Sequence, residues 1–189
     1  MSSTNAPFGV KAVYHPSGTI RSKTLSGFTS IPSAAVYKGD LVKLTGDGAV
    51  AAIIAANDPA YGIFEGCEYI DATGRPVCSP YWPASLSGVT GIKWYVIPFD
   101  PMLECEIQAG GSIAVTAIGD SADIVIAAGN TNTGVSGSYM NTTLKNAAAV
   151  GNFRIVGLAP YVDNTWGDSY TIVRVQIAKN QLLTQVNSI

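Results

Sequence analysis

From residue 35 to residue 180 the chain alternates short apolar runs with turn-forming residues, and several runs switch face at every position, the period of a pleated strand. Residues 103–108 are the clearest case: Leu103, Cys105 and Ile107 fall on one side, and Glu104, Glu106 and Gln108 on the other. Residues 171–177 repeat the pattern, with Val173, Val175 and Ile177 toward a core and Arg174 and Gln176 toward solvent or a partner. Runs at 41–45 and 49–54 flank Gly46-Asp47-Gly48, where glycine tolerates positive φ, and read as a hairpin. Further strands are expected at 61–70, 76–82 and 92–97, the first two separated by the turn residues 71–74. Only 142–150, with its alanines, offers a helical turn or two. No fixed-period repeat is present. The pattern predicts an all-β fold, a compact β-barrel or β-sandwich with few short helices.

Residues 1–34 lack this rhythm. Pro7, Gly9, Pro16, Gly18, Gly27 and Pro32 interrupt them, and one short strand is expected at 10–14. The chain therefore divides into an extended, irregular N-terminal arm (1–34), a β-rich domain (35–180) and a C-terminal tail (181–189). A long irregular segment beside a compact domain is usually functional or bound to something else.

Composition narrows the function. Charged residues make up 13% of the 189-residue chain, about half the usual share, so solubility rests on hydroxyl and amide side chains. The net charge is −2 and no Lys/Arg cluster exceeds the pair Arg21 and Lys23, which argues against nucleic acid as a partner. The richest apolar run, 49–54, is far short of the roughly 20 residues that cross a bilayer as a helix, so no membrane partner is expected. The opening residues carry neither a basic nor an apolar signal region, which predicts folding in a cytoplasm. Cys67, Cys78 and Cys105 cannot all pair and lack metal-ligand spacing. They read as reduced thiols, with a Cys67–Cys78 bridge as the alternative.

A search for chemistry returns little. The single histidine, His15, lies in the arm before Pro16, where local hydrogen bonding is the ordinary role. Glu104 and Glu106 share a strand face with Cα atoms about 7 Å apart, a spacing that could serve a glycosidase-like pair, yet alternating Glu on a polar face is what solubility alone produces. Asp120 and Asp123 lack the spacing of a calcium loop, and Gly46-Asp47-Gly48 and Gly110-Gly111 lack the Lys and helix of a phosphate loop. Asn141-Thr142-Thr143 is a glycosylation sequon without a secretion signal. Tyr81-Trp82-Pro83, Trp94-Tyr95 and Trp166 could form a sugar-stacking platform, although core and interface roles are commoner. Trp166 is hard to bury within its own loop, 163–168, so a partner subunit or a neighbouring β layer should cover it. No enzyme, metal or cofactor is expected.

Several segments, in order, resemble the capsid decoration (cement) proteins of tailed bacteriophages. Residues 37–44 (Tyr-Lys-Gly-Asp-Leu-Val-Lys-Leu), 48–50 (Gly-Ala-Val) and 61–66 (Tyr-Gly-Ile-Phe-Glu-Gly) are similar to that family's Gly-Asp strand, Gly-Val turn and Gly-Phe-Gly strand. Asp100-Pro101 with 104–108, then 117–124, Thr133-Gly134-Val135-Ser136, 153–158, Asp163-Asn164 and 170–178 continue the series. The resemblance spans most of 35–180 and is weaker in the arm and in 180–189. It implies a structural protein without catalytic residues, made in the host cytoplasm and placed on the outer capsid surface of the virion. Its partners would be the major capsid protein and itself, as a homotrimer at threefold positions. The arm would strap a neighbouring subunit through Phe8, Val10, Val13 and Tyr14, with Pro7 and Pro16 limiting the entropy lost; Trp166 joins them as a candidate interface residue. The competing arrangement folds the arm back as an edge strand of its own domain. Competing functions are a carbohydrate-binding or adhesin-like β module of a phage tail or fibre, a carbohydrate hydrolase, and a tail-tube or adaptor protein.

Overall fold

The computed structural model describes residues 2–28, 31–45, 55–56, 58–145 and 149–183, and the backbone of 50–53. The expected hairpin turn at 46–48 and the last six residues of the tail lie outside the described residues. The described strands are β1 (Lys11–Tyr14), β2 (Lys23–Ser26), β3 (Val36–Tyr37), β4 (Leu41–Leu44), β5 (Val50–Ile53), β6 (Gly62–Ile70) and β7 (Pro76–Ser79). They continue with β8 (Tyr81–Trp82), β9 (Thr90–Pro98), β10 (Glu104–Gln108), β11 (Ser121–Val125), β12 (Tyr139–Leu144), β13 (Phe153–Leu158) and β14 (Ile172–Ile177). A single 3₁₀ turn, Val115–Ala117, is the only helical element among the described residues. The fold is all-β.

One sheet runs β1-β10-β14-β13-β11-β12, antiparallel throughout. Its register stacks the alternating apolar residues: Cys105 faces Val175, which faces Ile155, and Ile107 faces Val173, which faces Leu158. A bridge between Met140 and Ala109, with Gly110 N–H donating to the Met140 carbonyl at 2.9 Å, returns β12 toward the end of β10. The sheet thereby curls into a half-barrel around Ile107, Ile124, Met140, Phe153 and Val173, all buried. The strand periods read at 103–108 and 171–177 are those of its central strands.

The other large sheet runs β2-β9-β6-β4-β5. The nine-residue β6 is long enough to serve two partners on one side, β4 at its start and β7 at its end, while β9 pairs along the other. Its core is aromatic. Trp94 meets Phe64 edge-on at 5.0 Å and lies 5.7 Å from Trp82, which in turn meets Tyr69 edge-on at 5.3 Å. Trp82 and Trp94 are wholly buried, so the sugar-stacking platform suggested by the sequence does not form around them.

Three local expectations are corrected. The strand expected at 76–82 is divided at Pro80, which has no N–H to continue a ladder, so β7 joins β6 and β8 crosses to pair with β3. The helical turns expected at 142–150 are strand through Leu144, because pairing with β11 overrides a weak local preference; 146–148 lie outside the described residues. Glu106 and Gln108, placed by alternation on a solvent face, are 4% and 2% exposed. Residues 4–6 of the N-terminal segment bond the Gln108 side chain, and Tyr161 and Arg174 hold that of Glu106.

Candidate interaction surface

The N-terminal segment supplies an edge strand to each large sheet: β1 pairs antiparallel with β10, and β2 with β9. Of the two arrangements open to the sequence, the one observed is folding back onto its own domain. Gln108 holds the segment from beneath, accepting from Ala6 N–H at 2.9 Å and donating to the Thr4 carbonyl at 3.0 Å. Ser2 anchors its start, donating its hydroxyl to Asp168 and accepting at its carbonyl from Tyr170 N–H at 2.7 Å. These partners satisfy a polar strand face that would otherwise need water.

The segment is seated at a junction of sequence-distant pieces. Gly9 and Gly39 have φ of +72° and +91°, and their backbones approach so closely that a Cβ on Gly39 would lie 2.7 Å from the Phe8 carbonyl oxygen. Val10 N–H donates to the Gly39 carbonyl at 2.8 Å, Gly39 N–H to Phe64, and Ser136 N–H to Lys38. Beneath lies Asp40, 2% exposed. Its carboxylate accepts from the Ser136 hydroxyl (2.6 Å), the Ser138 hydroxyl (3.3 Å) and Tyr37 N–H (2.7 Å). Burial pushes its pKa up from the ordinary value, outweighing the hydrogen bonds that pull it down. Sequence reasoning missed Asp40 as a special residue, since Lys38-Gly39-Asp40 reads as an ordinary turn.

The five predicted interface residues separate accordingly. Val10 is 1% exposed and belongs to the core of the half-barrel sheet, so it is an internal anchor. Trp166 is half-buried against the same core, the neighbouring β layer that its loop position called for. Val13 is the inserted residue of a β-bulge, since Ala12 faces Cys105 and Tyr14 faces Glu104. Phe8 lines an apolar groove of about 440 Å³ with Val10, Lys38, Val135, Tyr161 and Ile172. Tyr14 alone is strongly exposed, at 50%.

Tyr14 lies next to a crossing of two connections that the sequence did not reveal. His15 Nε2 lies 3.4 Å from Asp100 Oδ1, which also accepts from Met102 N–H at 2.8 Å. Ile20 lines a small pocket with His15, Asp100 and Leu103. Two connections, β1 to β2 and β9 to β10, thus cross between the sheets side by side and present Tyr14, Ile20 and Met102 outward. The β1 edge beside them is blunted by exposed Lys11, the bulge at Val13, and Pro16 beyond the strand, features that discourage a further strand from pairing.

The remaining candidates for chemistry are occupied structurally. The Tyr161 hydroxyl donates to Glu106, which holds the Tyr161 phenol up at about 12, and Arg174 lies 3.7 Å from both Glu104 and Glu106. The two glutamates are thereby tied into one ionic network around a single arginine. His15 also bonds Ser17 at 2.6 Å, the local role expected of it. Cys67 faces Ser79 in the β6–β7 register while Cys78 faces Glu68, which sets the two thiols on opposite sides of the sheet and removes the alternative of a bridge. Burial pushes the Cys67 thiol up to about 12 and the Cys105 thiol higher still. Among the described residues no three His, Cys, Asp or Glu side chains converge as a metal site, and no helix is long and apolar enough to cross a membrane.

In comparisons with known proteins the chain matches no family model, no curated protein and no solved structure.

Proposed function

We propose that this chain is a virion structural protein, a capsid decoration protein that binds the outer surface of a bacteriophage shell as a homotrimer and stabilises it. The observation that carries the reading is the meeting of three of the resembling segments in one place. Gly39 N–H donates to the Phe64 carbonyl, Phe64 N–H returns to the Asp40 carbonyl, and the Ser136 hydroxyl donates to the Asp40 carboxylate.

The mechanism is adhesion. Exposed Tyr14 at the end of β1, with Ile20 and Met102 on the two adjacent cross-connections, offers a shell apolar contact. A surface short of charge binds without desolvating many ions. Three copies linked about an axis make the second and third contacts nearly intramolecular, so modest single interfaces add to firm attachment.

The test is co-sedimentation with shells assembled from the major capsid protein of the same virion. Wild-type protein should pellet with the shells, and Tyr14→Ser/Met102→Ser should stay in the supernatant while remaining folded and trimeric. Wild-type protein that never pellets, or that is monomeric by native mass spectrometry, contradicts the reading.

A further inference from the structure

We propose that a second copy of this chain seats its Val162 in the apolar groove beside Phe8, and that this contact joins the copies. Val162 is 105% exposed, the highest value among the exposed large apolar residues described. It stands at the tip of a turn that is fixed on both flanks. Asn164, 4% exposed, donates to the Ala159 and Ile172 carbonyls at 2.8 Å each and accepts from Ile172 N–H at 3.0 Å. Tyr161 N–H donates to the Ala159 carbonyl at 2.9 Å, Asn164 N–H to the Tyr161 carbonyl at 3.1 Å, and the Tyr161 hydroxyl anchors on Glu106. A turn held in this way keeps Val162 off its own domain and loses little conformational freedom when a partner buries the side chain.

The groove supplies the apolar contact that Val162 lacks. Phe8, Val10, Val135 and Ile172 line it, and about 440 Å³ holds a side chain together with the tip of the turn that carries it. Charge matches as well. Lys11 also lines the groove, exposed and outside every ion pair among the described residues, whereas Lys38 is already paired with Glu65 at 2.9 Å. The residue after Val162 is Asp163, also exposed, so an incoming turn brings a carboxylate toward Lys11 along with its apolar tip.

Turn and groove adjoin, since Tyr161 belongs to the turn and also lines the groove. Val162 nonetheless stands clear of its own groove, so only the turn of another copy fills it. Copies arranged about an axis then fill one another's grooves in turn, a closed association of identical surfaces. The inference deepens the homotrimer of the reading above and rests on that self-association; the shell plays no part in it.

Native mass spectrometry and sedimentation velocity on the full chain, without shells, test it. Wild-type protein should associate, and Val162→Asp should leave monomers. Val162→Ala should raise the dissociation constant of each contact roughly tenfold, for the two methyl groups that leave the groove. A fully exposed side chain adds nothing to the core, so the circular dichroism of both variants should match that of the wild type. Cross-linking tests the seat itself. Val162→Cys protein mixed with Val135→Cys protein, each also carrying Cys78→Ser, should form a disulfide-linked pair under oxidised glutathione that neither forms alone. A trimer that persists in Val162→Asp, or a mixture that yields no linked pair, overturns the proposal and leaves the homotrimer standing. A wild-type dimer abolished by Val162→Asp upholds the seat and removes the trimer. Wild-type protein that stays monomeric overturns both.

Discussion

Replacing Gly39 by alanine probes whether the N-terminal segment is part of the domain, and Gly74 provides the control. Both glycines have positive φ, +91° and +83°, so alanine at either pays the left-handed penalty of roughly 1–2 kcal/mol. They differ in what a Cβ meets. At Gly74 nothing lies within 4 Å, whereas at Gly39 the Phe8 carbonyl oxygen lies at 2.7 Å and the Val10 backbone oxygen and nitrogen at 3.3 and 3.4 Å. Those are backbone atoms, so relief requires moving the segment. The Val10 N–H bond to Gly39 then fails, at about 1 kcal/mol, and the Val10 side chain is partly unseated, at roughly another 1–2 kcal/mol. The sum is about 3–5 kcal/mol for Gly39→Ala against about 1–2 for Gly74→Ala. With a urea slope of about 2 kcal/mol/M, the midpoint should fall by roughly 2 M and by somewhat under 1 M, respectively. Deleting residues 2–10 should bring the cost of Gly39→Ala down to that of Gly74→Ala. Equal midpoints in the full-length chain, or an excess that survives the deletion, would refute the seating of the segment on Gly39.

Other perturbations address separate parts of the account. In native protein a thiol reagent should modify Cys78 within minutes and leave Cys67 and Cys105 untouched until denaturant is added, because only Cys78 is exposed; rapid labelling of all three would contradict the burial. Glu106→Gln should lower the Tyr161 pKa, read by ultraviolet titration, from about 12 toward the ordinary value of about 10, since the glutamate is the main cause of the rise; an unmoved titration would mean the pair is not formed. Trp166→Ala should lower stability by roughly 2 kcal/mol, less than a wholly buried tryptophan would, as the ring is only half-buried on the core. Glycan binding by the wild type that disappears in this variant would revive the carbohydrate-binding reading.

The strands whose faces alternate between core and solvent were legible from sequence, and the reason is visible in β10 and β14. Their Cys105, Ile107, Val173 and Val175 obey a period of two because one side of the sheet is the core. The same logic failed at Glu106 and Gln108, whose polar side chains are buried by sequence-distant partners, Tyr161 on the first and residues 4–6 on the second. Alternation shows which residues differ from their neighbours, not what covers the polar side. The strand Lys23–Ser26 was missed for a similar reason: its burial is slight and its existence depends on β9 as a template. The candidate surface was half legible. Tyr14 stood out as an aromatic in an irregular segment, but Ile20 and Met102 are single apolar residues in turns, joined only by the crossing of two connections. Asp40 was hidden by its resemblance to an ordinary turn aspartate.

The most direct test of the central claim is an electron cryomicroscopy reconstruction of shells incubated with this protein. The account predicts added density on the outer surface at threefold or quasi-threefold positions, with Tyr14 and Met102 facing the shell. Bare shells at saturating protein, or density confined to the tail, would contradict it.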